Sequence, residues 1–233
     1  MSAPSSRPIL YSGPLSMFGA KVEIAVLEKR LDVEVVMVPY ESRAGYSPRH
    51  PEVARINPKQ QVPVLVHGDL EIFDSTQIFE YLEDLAPEPA LWPRDAGGRA
   101  RARRLELESD EVYFPHVIRL MGLQDQLDGE PARAAIAAAT RYHAVQDARL
   151  AEQAWLAGTY SFADIAFYMA ALFGERQGAP IDSATPRLLA WRDRMSARPA
   201  VGKVAGAMAR WLAAAGRPVP AFMAALVDRS ADP

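Results

Sequence analysis

The spacing of apolar and polar residues changes character partway along this chain of 233 residues. Pro8 to Tyr11 is a short apolar run ended by Ser12-Gly13-Pro14, the pattern of a buried strand followed by a turn. From Met17 to Leu31 the apolar residues Phe18, Val22, Ala25, Val26 and Leu31 recur at helical spacing. Val33 to Val38 is rich in β-branched residues and stops at Pro39, which predicts a second strand. Tyr40 to Arg55 mixes prolines, a glycine and charges, so it reads as an irregular surface loop holding a short helix. Val62 to Val66 and Glu71 to Phe73 bracket His67-Gly68-Asp69, a turn tight enough for a hairpin. Asp74-Ser75-Thr76-Gln77 then matches a capping box ahead of Ile78, Phe79, Tyr81, Leu82 and Leu85.

These signals predict β-α-β, a connection with a short helix, then β-β-α over residues 1–86. Pro87-Glu88-Pro89 opens a stiff linker over 87–93. From Arg94 onward strand signals vanish, and Ala, Arg, Glu and Leu dominate. Helices are expected over about Arg94 to Leu127, Pro131 to Ala157, Phe162 to Gln177, Thr185 to Ala197 and Pro199 to Ala215, within an all-helical domain spanning 94–233. Ser161-x-x-Asp164 can cap the third of these, whose residues are apolar on most sides, so it predicts the buried centre of a helical bundle. The tail after Arg217 is expected to lie over the surface or to fray.

Composition then removes whole classes of chemistry. Hydrophobic residues make up 49% and charged residues 24%, ordinary values for a globular protein with a substantial core. There is no cysteine, which excludes disulfides, thiolate metal sites, redox Cys pairs and a cysteine nucleophile. A net charge of −3 gives no global reason to expect nucleic acid. The cluster Arg99, Arg101, Arg103 and Arg104 is followed at once by Glu106, Glu108, Asp110 and Glu111, so it reads as a salt-bridged helix face. Met1 to Pro8 lacks the basic-then-apolar signal of a secreted chain, and no apolar run approaches the ~20 residues of a membrane span. The expectation is a cytoplasmic protein with no membrane, nucleic-acid or metal partner.

Three local features carry chemistry. Ser16 places a hydroxyl where a strand turns into a helix, in Ser12-Gly13-Pro14-Leu15-Ser16-Met17. Asn57-Pro58-Lys59-Gln60-Gln61-Val62-Pro63 brings an X-Pro bond to the start of a strand, and Asp74-Ser75 begins the next helix. Taken singly, these are a helix N-cap, a proline opening an edge strand and another N-cap. Together they form a constellation able to hold anions, because helix N-termini present free N–H groups and a positive dipole end.

In order and separation these segments resemble the glutathione transferases, along with the Ser161-x-x-Asp164 box, and the resemblance covers nearly the whole chain. It implies a thioredoxin-like N-terminal domain, an all-α C-terminal bundle, glutathione as co-substrate and no metal. It implies that Ser16, six residues before Val22 as in serine-type members, donates to the glutathione sulfur. Thiolate is the nucleophile and a free thiol has a pKa near ~8.5, so donors and positive potential at the sulfur favour the reactive form. Tyr11, where tyrosine-type members carry their phenol, and the turn residue Ser12 are rivals for that contact. Val62-Pro63 is expected to be cis, with the Val62 main chain pairing with the cysteinyl backbone like a strand partner. Gln61 and Lys59 are placed at the glycine end, and His50 lies in the segment where some members hold the glycine carboxylate. Asp74 and Ser75 are placed at the γ-glutamyl end, the carboxylate toward the ammonium and the hydroxyl and amides toward the carboxylate.

The resemblance sets the electrophile beside the first long helix of the helical domain, so Tyr113, Phe114 and Val117, with Tyr11, are expected to line its pocket. His50 otherwise reads as a surface residue before a proline, His67 as part of the hairpin turn and His143 as a helix-surface residue. The implied activity is transfer of glutathione to an apolar electrophile, the activity of a detoxification enzyme. A non-catalytic binding or regulatory relative and a glutathione-dependent isomerase or dehalogenase are the alternatives. The missing cysteine argues against the thiol-reductase branch. A homodimer is implied, through the helix after Asp74 and the first helix of the helical domain.

Overall fold

The structure, a computed structural model, describes residues 6–41, 44–47 and 49–227. Met1 to Ser5, Ser42, Arg43, Pro48 and the residues beyond Val227 lie outside the described residues. Contacts divide the chain into two compact units, Met1–Ala90 with Ala200–Pro233, and Leu91–Pro199. The first break falls between Ala90 and Leu91. The second differs from expectation, because the last helices group with the sheet unit instead of the helical one.

The sheet unit contains β1 (Ile9–Ser12), α1 (Met17–Glu28), β2 (Glu34–Met37), α2 (Pro51–Ile56), β3 (Val64–His67), β4 (Leu70–Phe73) and α3 (Ser75–Leu85). Strand order is β2-β1-β3-β4, with β1 parallel to β2, and β3 antiparallel to both β1 and β4. This is the thioredoxin-like arrangement expected. Successive strand residues face opposite sides. Leu10, Ser12, Leu65 and His67 are buried on the side of α1 and α3. Val64, with Tyr11 and Val66, packs on the other side against Val53 of α2.

A buried ion pair closes this unit. Lys29 Nζ lies 2.6 Å from Glu83 Oε2 and donates to the carbonyls of Ala86 (2.7 Å) and Pro89 (3.1 Å). It ties the end of α1 to α3 and to the segment after it. His67, expected in the hairpin turn, is instead the last residue of β3. It is buried, with Nδ1 2.6 Å from Tyr81 Oη of α3, because strand alternation turns it inward.

The helical unit carries α4 (Ala96–Glu108), α5 (Phe114–Met121), α6 (Glu130–Arg149), α7 (Phe162–Arg176) and α8 (Pro186–Ser196). The single helix expected to Leu127 is broken. Ser109–Tyr113 form one π-helical turn, closed by the Phe114 N–H bonding to Ser109 C=O, and Pro115 follows at the start of α5. A proline lacks the N–H needed for the ordinary ladder, so a wider turn is the local solution. The α6 helix ends at Arg149 rather than Ala157. The Leu156 N–H that a longer helix would use donates instead to Asp164 Oδ1 at 3.0 Å.

Asp164 is the hub of this unit. Besides Leu156 it accepts from the Ser161 N–H (3.0 Å), Ser161 Oγ (3.2 Å) and Trp191 Nε1 (2.9 Å). Burial pushes its carboxyl up to about 6, against the pull of these donors. Every residue of α7 from Phe162 to Gly174 is buried, as its uniformly apolar pattern predicts. His143 departs from expectation. It is 2% exposed, and its Nε2 lies 3.0 Å from Tyr113 Oη inside a cluster with Phe167.

The remaining helices are α9 (Pro199–Ala214) and α10 (Ala221–Val227). The latter lies over the surface with Met223 and Leu226 buried beneath it. Among the described residues no helix is long and apolar enough to cross a membrane.

Candidate functional site

Sheet topology brings the three chemistry-bearing segments together. Because β3 runs opposite to β1 and β4, the exit of β1, the entrance of β3 and the exit of β4 lie at one end of the sheet. The register confirms it, Tyr11 facing Val64 and Val64 facing Phe73. Strands sit ~4.8 Å apart, so the row from β1 to β4 spans about 10 Å. Ser16, Val62-Pro63 and Asp74-Ser75 all leave from this end.

Ser16 is the N-cap of α1, with its Oγ accepting the Gly19 N–H at 2.9 Å, and is 7% exposed. That bond uses an oxygen lone pair and leaves the hydroxyl hydrogen free to donate. The β1–α1 loop is held closely. Leu15 N–H donates to Tyr46 Oη at 3.1 Å, and a Cβ on Gly13 would stand 2.4 Å from the Tyr46 ring. Gly19 is equally constrained, since a Cβ there would lie 2.3 Å from Ser12 Oγ. The α1 N-terminus adds its positive dipole end to the hydroxyl.

The second segment is organised by Asn57, to which the sequence pattern assigns no role. Its Oδ1 accepts the Lys59 N–H at 2.9 Å, and its Nδ2 donates to the Gln61 C=O at 2.6 Å. Its position before Pro58, where an Asx turn forms readily, was the available signal. Gln60 takes a positive φ of 53° in this turn. Val62-Pro63 is cis. Val62 is half-buried, and its main chain makes no hydrogen bond to another described residue. The Gln61 and Lys59 side chains are exposed beside it.

At the third, Asp74 caps α3, its Oδ1 accepting from Thr76 N–H (3.0 Å) and Gln77 N–H (3.4 Å). Its backbone has φ 78° and ψ 128°, a conformation non-glycine residues adopt at a cost of order 1–3 kcal/mol and mostly at functional sites. The side chain is exposed, while Ser75 behind it is 3% exposed.

The other candidates are placed differently. Tyr11 faces α2, opposite to Ser12 and α1, with its ring centroid 4.9 Å from that of His50. Burial, then the nearby carboxylates of Glu52 and Glu34, raises its phenol pKa. Strand alternation thus turns Tyr11 away from the side that holds α1, whose first turn carries Ser16. Ser12 is no simple turn residue: it ends β1, is fully buried and donates to Glu23 Oε1. His50 is the N-cap residue of α2, and its Nδ1 is buried with no partner among the described residues.

Tyr113, Phe114 and Val117 are buried rather than open. Tyr113 packs among Tyr142, His143 and Phe167, and Phe114 edges onto Phe173. The expectation that they line an accessible pocket is corrected, because the π-turn directs Tyr113 into the core of the helical unit. Among the described residues no group of three or more His, Asp or Glu side chains gathers as a metal site.

Comparison with known proteins bears on the same segments. Residues 10–90 match the family model described as glutathione S-transferase, N-terminal domain, and residues 106–199 match glutathione S-transferase, C-terminal domain. The chain is 32% identical over 211 residues to glutathione S-transferase 3 of Zea mays, covering 85% of this chain and 93% of that protein. It spans about half the length of several other curated relatives that it matches. A solved glutathione S-transferase from Rhodospirillum rubrum F11 superposes with a TM-score of 0.73 at 29% identity, covering 84% of this chain and 91% of that one. A glutathione transferase from Burkholderia graminis, solved with two glutathione molecules bound per subunit, superposes with a TM-score of 0.73 at 27% identity, covering 85% and 87%.

Proposed function

This chain belongs to the glutathione S-transferase family, and from that premise we propose that it is a glutathione transferase that activates the thiol with Ser16. The observation that carries the reading is the convergence of Ser16, the Val62 main chain and Asp74-Ser75 at one end of the sheet. A row of about 10 Å matches an extended tripeptide, which rises ~3.3 Å per residue. Ser16 donates to the sulfur, and the α1 N-terminus stabilises the thiolate. Val62 pairs with the cysteinyl backbone in the manner of an added strand. Asp74 faces the γ-glutamyl ammonium and the start of α3 its carboxylate, while Gln61, Lys59 and His50 stand at the glycine end.

The thiolate then attacks an apolar electrophile: a carbon–sulfur bond forms and a leaving group departs, or a proton adds to the conjugated partner. Isomerisation follows the same opening step and regenerates glutathione. A cytoplasmic homodimer goes with this reading. The test is calorimetric titration with glutathione of the native protein and of Asp74→Ala, followed by product analysis with model electrophiles. Saturable binding that weakens at least about tenfold in Asp74→Ala is expected. No heat at millimolar glutathione would remove the reading and leave a non-catalytic member of the family. Glutathione recovered unchanged beside a rearranged substrate would reassign the enzyme as an isomerase.

A further inference from the structure

Glu23 has no part in the glutathione site. It lies on α1, its Oε1 accepts from Ser12, and its Oε2 makes no hydrogen bond to any described residue. It forms part of the wall of a cavity of about 190 Å³ inside the sheet unit, enclosed by α1, the β1–α1 loop, the end of β2 and α9. The rest of that wall is apolar: Pro14, Met37, Val204, Met208 and Trp211. Met37, 47% exposed, and Ala207, also exposed, stand at the rim, so the cavity has an open mouth.

A carboxyl with one unpartnered oxygen in an apolar hollow is unfavourable as an anion unless a cation joins it. Burial accordingly pushes the Glu23 carboxyl up to about 7, the Ser12 bond lowering it only in part. No basic side chain among the described residues contributes to that balance. Tyr46, whose phenol pKa burial raises, and Tyr40 stand near this corner, with the Arg217 guanidinium 5.8 Å from the Tyr40 ring. The volume suits one ring with a short arm, since an apolar cavity of roughly 150 Å³ holds benzene. An indole and two thioethers are favourable surroundings for an aromatic body and for a cation beside it.

We propose that this cavity is a second ligand site, separate from the glutathione site, which takes a small arylalkylamine as its ammonium form paired with Glu23. The ammonium donates to the free Oε2, and the ring fills the space between Met208, Trp211 and Val204. The pair forms in a largely apolar hollow, so selectivity for amine over a neutral isostere is its signature.

The probes are benzylamine and benzyl alcohol, equal in shape and different in charge, titrated into the full chain at neutral pH by calorimetry and ligand-observed NMR. Benzylamine is expected to bind at least about tenfold more tightly than the alcohol. Glu23→Gln should bring the two within about threefold of each other. Ala207→Phe, at the exposed rim, should abolish binding of both and keep the proposal testable if Glu23→Gln fails to fold. Equal binding of amine and alcohol, an amine preference that survives Glu23→Gln, or no binding of either at millimolar concentration would overturn it. Glutathione titrated into the same preparations reports on Ser16's site separately. Benzylamine binding by a protein that ignores glutathione would sink the transferase reading and leave this one standing.

Discussion

Replacing Ser16 with alanine removes two interactions made by one hydroxyl. The first is the N-cap bond from Gly19 N–H to Oγ, 2.9 Å long and buried. A cap of this kind contributes about 1 kcal/mol, so unfolding by urea should begin at slightly lower concentration. The second, on the proposed function, is the hydrogen bond donated to the bound thiolate. Hydrogen bonds to charged groups contribute ~1.5–3 kcal/mol, and one pKa unit corresponds to ~1.36 kcal/mol. Losing the donor should raise the thiol pKa of bound glutathione by about 1–2 units, lowering turnover at neutral pH by about 5- to 50-fold for a native thiol titrating near ~7. The assay is the ultraviolet absorbance of thiolate, followed against pH in the glutathione complexes of the native protein and Ser16→Ala, with urea unfolding of both. Ser16→Thr keeps a donor at the same position and should recover most of the thiol shift. A Ser16→Ala protein that loses the cap contribution but keeps both thiol pKa and turnover would reduce Ser16 to a structural cap.

Two further outcomes follow from the helical unit. Asp164→Ala strips the acceptor from four donors on Leu156, Ser161 and Trp191. Buried unsatisfied groups cost ~1–3 kcal/mol each and relax in part, so a loss of about 3–5 kcal/mol is expected in urea unfolding; a loss under about 1 kcal/mol would contradict the hub assignment. His143 is held by burial at a pKa of about 4, below its ordinary 6.5. The unfolded chain therefore binds the extra proton first, and stability present above pH 6.5 is lost as pH falls toward 4. The loss amounts to about 3 kcal/mol across that window. Comparison of native protein and His143→Phe from pH 7 to pH 4 measures it, and parallel stability curves would rule it out.

The element pattern was legible because each element answers to local rules. The apolar run of β1, the β-branched β2, the hairpin around Gly68 and the cap at Asp74 can be read without partners. The uniformly apolar α7 likewise announced its burial. Ser16, Val62-Pro63 and Asp74 stood out because turn and cap positions demand particular side chains. Their meeting at one end of the sheet required strand direction, which the connections imply only once β3 is known to run against β1 and β4.

What the chain could not disclose depends on which face a residue takes and on what packs there. Tyr11 and Ser12 are adjacent and both polar, yet strand alternation sends one toward α2 and the other into a bond with Glu23. His143 follows a helical pattern that leaves it looking exposed, but Tyr113 and Phe167 close over it. Tyr113 itself turned inward because Pro115 imposes a π-turn whose phase a sequence does not display. Glu23 offers no local signal at all: its isolation arises from α9, about 180 residues further along the chain, and long-range burial is a property of the folded molecule alone. Local backbone chemistry determined where the elements and caps lie, and tertiary packing decided which charges, rings and hydroxyls meet.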